Sequence, residues 1–234
     1  MKKFKNVISL GFFCSPAMEL ERIGLRKCSY PFDWLVTHSF EVVIGLISQN
    51  FENFLDYEQF YQFEKHPIYY KNALLNIDFY HDFSVYKPLN KQFDLFKKKY
   101  ERRIARFYKD IKEPTLFVRY LAANDFAFID KEHEKIEAFL KGYNPQNEII
   151  YIQNSPNDNI IENGTVFSVE KDDNDSVARQ FLDKLPALNE YLVNNVEPAQ
   201  SKVKKKSKLI KGMKKLILKF RIKFGWYYHH HKTI

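Results

Sequence analysis

Cysteine is scarce in this chain: 234 residues contain two, Cys14 and Cys28. Two cysteines make no disulfide framework, and no CxxC or Cys/His spacing suggests zinc. The usage fits a reducing compartment, and no metal or cofactor is expected. Glycine (7) and proline (9) are few, which excludes a low-complexity or fibrous chain. No apolar run approaches the ~20 residues of a membrane span. Acidic residues are missing from Ser201 onward, where twelve Lys or Arg stand. The net charge of +8 is therefore a misleading average, since the first 200 residues carry 25 basic and 29 acidic side chains. A mildly acidic body argues against specific nucleic-acid binding by the globular part.

What is present is enough apolar surface for one sizeable core. Hydrophobic residues make up 45% of the chain and aromatic residues 17%. One domain over residues 1–197 is expected, followed by a basic tail over 198–234. Phe and Tyr are abundant beside Lys, Asn and Ile, a bias of composition that carries little functional weight.

The stretch "NVISLGFFCSPAMELERIGL" (6–25) raises the question of export. "MKKFK" is a charged start, but the apolar run from Val7 to Phe13 is short. Bulky Phe12 and Phe13 precede Cys14, where a lipidation or cleavage site wants small residues. A cytoplasmic body is expected. The same stretch reads as a strand feeding a helix. "NVISLGFF" is apolar and β-branched, Ser15 suits an N-cap, Pro16 suits the first turn, and Gly24 is a stop.

Further along, helices are expected from Thr37 or Ser39 through Ile47, over 89–111, over 130–143 and over 174–193, where Pro186 would introduce a kink. The 89–111 segment repeats Phe93, Phe96, Tyr100, Phe107 and Ile111 at helical spacing. Strands are expected at 73–83, 115–121, 148–154 and 165–171. Strands alternating with helices of crossover length predict a single α/β domain with a mostly parallel sheet flanked by helices. In such sheets functional groups gather at the carboxyl ends of the strands.

Cys14 falls at such an end and at a helix start. Unpaired backbone N–H groups and the helix dipole there favour a thiolate. The competing reading is a buried apolar cysteine. His81, at the end of "ALLNIDFYHDF", continues an apolar strand face and would leave it as a general base. Asp82 points the other way by alternation, which makes Asp33 in "YPFDW" an alternative orienting group. Arg119 interrupts a strand, and both an anion-binding role and a structural ion pair are open. His38, His66 and His133 are expected at the surface or in loops, and Cys28 in packing.

These blocks carry a resemblance. "SLGFFCSPAMELERIGLRKCSYPFDWL", "FYHDF" and "YERRIARF…TLFVRY" resemble a bacterial family of unknown function described as papain-like cysteine peptidases. The shared elements are LG-x-x-C-x-x-A-x-x-L, PFDW, a histidine in an H-D-F setting, and an R-R-I helix before an F-x-R strand. The resemblance implies Cys14 as nucleophile and His81 as base, with Asp33 or Asp82 as the third member. Main-chain N–H groups at Ser15 would hold the oxyanion, and the substrate would be an acyl or peptide-like bond. An alternative is a transferase or binding protein of bacterial surface-polysaccharide assembly that uses an anion-binding Arg119 and no covalent thiol step.

In the tail, Leu209, Met213, Leu216, Phe220 and Phe224 form a helical stripe among lysines, and Trp226 follows. That is the composition of a helix lying on an anionic membrane surface, so peripheral attachment to the inner membrane face is expected. A disordered basic tail is the competing reading.

Overall fold

The computed structural model describes residues 2–62, 70–84, 86–122, 124–154, 164–169 and 185–199. The expected helix over 174–184 and the membrane-contact residues Leu209, Met213, Leu216, Phe220, Phe224 and Trp226 lie outside these.

The chain opens with β1 (Asn6–Ser9) and α1 (Ser15–Arg22). β1 is shorter than its apolar run because Gly11, at φ +82°, turns the chain. A Cβ there would sit 2.6 Å from Thr37 Oγ1, so the position also needs glycine for space. The cap position of α1 is taken by Cys14, one residue before the expected Ser15, and no side-chain cap bond forms. The other end closes as the sequence suggests. Gly24 adopts φ +77°, and Leu25 N–H reaches Leu20 O at 2.9 Å, a Schellman closure.

Next come β2 (Leu35–Thr37) and α2 (Phe40–Ser48), whose Ser39 side chain accepts from Val42 N–H. Then follow β3 (Phe60–Gln62), β4 (Tyr70–Asn72) and β5 (Ile77–Phe79). The strand expected over 73–83 is therefore three residues long; Asn76, at φ +52°, lies in the turn that precedes it. α3 (Phe93–Asp110), β6 (Thr115–Tyr120), α4 (Asp125–Lys141), β7 (Glu148–Asn154), β8 (Thr165–Val169) and α5 (Pro186–Asn195) complete the order. Pro186 opens α5 within its first turn, where its missing N–H costs nothing, so among the described residues it starts a helix instead of kinking one.

The first sheet is wholly parallel, in the order β1-β6-β7-β8. Strand alternation divides its side chains. Val7, Leu116, Val118 and Ile150 meet Leu20 of α1 and Leu188 of α5 on one face. Ile8, Phe117, Ile149 and Tyr151 join α2, α3 and α4 on the other. This is the expected α/β architecture. α1 leaves β1 toward one face and α4 leaves β6 toward the other, so the crevice beyond the carboxyl ends of these two neighbours is a topological switch point.

A second sheet, antiparallel and in the order β2-β5-β4-β3, lies outside the sequence expectation. Its short strands pack on α3 through aromatic rings. Phe60 and Phe79 lie 5.2–5.3 Å from Phe93 or Phe96, and Phe83 lies 4.7 Å from Phe96. Each such pair adds about 0.5–1.5 kcal/mol beyond area burial. The abundant phenylalanines thus build the contact that holds the smaller sheet. Among the described residues, no helix is long and apolar enough to cross a membrane.

Candidate functional site

The two sheets meet where β1, β6 and β2 end. Leu10 N–H bonds Val118 O at 2.8 Å, Tyr120 N–H bonds Gly11 O at 3.0 Å, and Thr37 N–H bonds Phe12 O at 2.8 Å. Arg119 locks this junction from beneath. It is fully buried (0% exposed). Its five N–H donors are all used: two on Asp125 Oδ2 (3.0 and 2.7 Å), and one each on Leu10 O, Thr37 Oγ1 and Thr37 O. Asp125 accepts in addition from Phe40 N–H at 2.7 Å and Ala122 N–H at 2.9 Å. The pair therefore pins the starts of α2 and α4 to three strand ends. An anion-binding Arg119 is corrected by this geometry, because no donor is left to offer and the guanidinium meets no solvent.

Above the junction stands Cys14, at the switch point and at the start of α1. It is half-buried. Phe12 and Phe13, which precede it, pack on Tyr120, with the Phe13 ring 4.8 Å from the Tyr120 ring. Burial pushes the thiol pKa above its ordinary value, and the Cys14 backbone N–H pulls the other way. The expected lowering at a helix start is thus outweighed by desolvation.

The sequence-derived partners lie elsewhere. β5 runs antiparallel to β2 with Phe79 opposite Leu35. His81, two residues on, is carried past the start of β2, and its ring packs edge-on against Trp34 at 6.1 Å. Trp34 and Thr37 are three residues apart, roughly 10 Å of extended chain. Burial lowers the His81 pKa; Asp82 opposes this and Lys99 adds to it.

Asp33 is buried (1% exposed) and its Oδ2 accepts from Arg26 at 3.0 and 2.8 Å and from Tyr30 N–H at 3.0 Å. Burial pushes its carboxyl up while Arg26 pulls against it. Asp82 is held by Lys99 and by the Tyr100 hydroxyl. No hydrogen bond joins Cys14, His81 and either aspartate among the described residues. Asp33 as the group that orients His81 is corrected accordingly, since its carboxylate serves Arg26 and the Tyr30 turn. Asp82 touches His81 only through its charge.

Sequence reasoning missed His38. The residue directly follows Thr37, its ring lies 6.4 Å from the Phe12 ring, and its Nε2 is 2.9 Å from Asp78 Oδ2. Asp78 is buried on β5, and Lys71 Nζ stands 3.5 Å from its other oxygen. His133, expected at the surface, is buried on α4 and bonds the Tyr151 hydroxyl at 3.1 Å. Cys28 packs against the core as expected. Among the described residues, no group of three or more His, Cys, Asp or Glu could hold a metal ion.

Residues 5–168 match a family model described as "Putative papain-like cysteine peptidase (DUF1796)". The chain belongs to this family. The match spans both sheets from β1 to β8 and includes Cys14, His38, Asp78 and His81. The chain is also similar to "Uncharacterized protein R408" of Acanthamoeba polyphaga mimivirus, 32% identical over 127 residues. That alignment covers 43% of this chain and 54% of the relative, so the chain spans about half the length of the curated protein it matches. No solved structure matches.

Proposed function

We propose that this protein is a thiol enzyme acting on an acyl bond, with Cys14 as the nucleophile. One observation supports the reading above others: within a family described as cysteine peptidases, Cys14 occupies the switch point of a parallel sheet, at the first turn of α1. The start of α1 carries the positive end of the helix dipole, which suits a developing oxyanion. Attack by sulfur on the acyl carbon gives a thioester, and water or an acceptor nucleophile releases the acyl group. Hydrolysis and transfer share this first half.

The test is a panel of chromogenic esters, thioesters and peptide anilides assayed with wild type and Cys14→Ala. Turnover abolished by Cys14→Ala supports the reading. Turnover that survives it at the wild-type rate refutes it. We read residues 201–234 as a basic amphipathic segment that seats the protein on an anionic membrane surface. Sedimentation with anionic liposomes should fall when those residues are removed, and equal binding with and without them contradicts the assignment.

A further inference from the structure

We propose that His38, oriented by Asp78, is the general base that serves Cys14. The inference rests on the thiol-enzyme reading and assigns the base within that site.

Position is the first argument. The Thr37–Phe12 backbone bond brings the segment carrying His38 against the segment carrying Cys14, and the Phe12 ring touches both the His38 ring and the Tyr120 wall. His38 thus stands at the Cys14 end of β2, while His81 stands beside Trp34 at the other end. Neither ring is hydrogen-bonded to the thiol. Catalytic contacts of this kind commonly tighten only when substrate is bound.

Orientation is the second. Asp78 is paired in register with Val36 on β2 and Lys71 on β4. Its carboxylate can only accept, so the proton on the His38–Asp78 bond belongs to Nε2. That leaves the Nδ1 lone pair free to take a proton. The charged groups packed around the ring are Asp78 from β5 and, behind it, Lys71 from β4; its Phe12 side is aromatic. At His81 burial disfavours the charged ring first, and the charges of Asp82 and Lys99 act on it in opposite directions.

The Cys14 S–H proton passes to His38 Nδ1, and the sulfur electron pair bonds the acyl carbon. The C=O pair moves to oxygen beside the first turn of α1. Collapse expels the leaving group, which takes the proton from Nδ1. A water molecule then loses its proton to Nδ1, cleaves the thioester, and the thiol is restored.

The test is the pH dependence of Cys14 alkylation by iodoacetamide, resolved from Cys28 by peptide mass spectrometry. The proteins are wild type, His38→Ala, His38→Gln, Asp78→Asn and His81→Ala. His38→Gln keeps a donor for Asp78 but cannot take a proton, which separates lost base from lost packing. At neutral pH both His38 variants should alkylate at least about tenfold more slowly than wild type. Asp78→Asn should fall between, and His81→Ala should match wild type. Slowing by His81→Ala, with either His38 variant unaffected, overturns the assignment and leaves the thiol-enzyme reading standing. Cys14 alkylation that is equal in wild type and both His38 variants at every pH overturns the base assignment, while loss of turnover in Cys14→Ala keeps the thiol-enzyme reading.

Discussion

His38 Nε2 and Asp78 Oδ2 lie 2.9 Å apart, and they join β2 to β5 at the end of the smaller sheet that meets β1 and β6. They stand 40 positions apart in sequence and are brought together by the antiparallel pairing of β2 and β5. In the proposed role Asp78 is a positioning residue: it fixes which nitrogen of His38 is free. Asp78→Asn offers an amide that can donate as well as accept, and so admits the wrong tautomer. Steady-state assays on a substrate that is turned over should show kcat lowered by about 10²- to 10⁴-fold with KM little changed. A change confined to KM would assign Asp78 to substrate binding instead.

The Arg119–Asp125 pair makes a stability prediction. Arg119→Met removes the cation and leaves a buried carboxylate facing only main-chain donors. Breaking a buried pair from one side costs about 3–5 kcal/mol, a large share of the stability of a domain this size. Urea denaturation should show the midpoint collapse or the soluble fraction disappear. A loss under about 1 kcal/mol would mean that the pair does not lock the junction.

Gly11 is predicted to tolerate no side chain. Its φ of +82° already disfavours an L residue by about 1–2 kcal/mol, and an alanine Cβ would press on Thr37 Oγ1 at 2.6 Å. Gly11→Ala should therefore lower stability by at least that amount and slow Cys14 alkylation, because the turn carrying Phe12 must shift. Wild-type values for both would contradict the crowding.

His81 makes a pH prediction with a definite sign. Its folded pKa lies below the ordinary 6.5, so below that pH the unfolded chain takes up the proton first. Stability is thus present above about 6.5 and is lost as pH falls toward the folded value. His81→Gln should flatten the loss of thermal midpoint between pH 7 and pH 5, and a steeper loss in the variant would reverse the assignment.

Much of this frame is legible in the sequence. The strand-to-helix switch at Cys14, the Ser39 cap and the stripe of α3 all rest on local rules and are all found, although α3 begins at Phe93, four residues later than expected. The smaller sheet is not legible because its strands are three residues long, too short for an alternation to be told from a loop. That error moved His81: reading 73–83 as one strand of the parallel sheet set it beside Cys14. The His38–Asp78 pair depends on the register of that sheet and has no local signal. Two misses did have one. Phe126, Ile129, His133, Ile136 and Leu140 share a helical face, so an earlier start for α4 would have buried His133. Asp125, six residues after Arg119, was the available partner for a strand-interior arginine.

The central claim is that Cys14 forms a covalent acyl intermediate. The most direct measurement is acid-quenched mass spectrometry of the protein mixed with an activated ester, with the adduct mapped by peptide. One acyl group is expected on the Cys14 peptide, labile to hydroxylamine, absent in Cys14→Ala and strongly reduced in His38→Gln. Turnover of the ester with no thioester on Cys14, or an adduct that persists unchanged in Cys14→Ala, would contradict it.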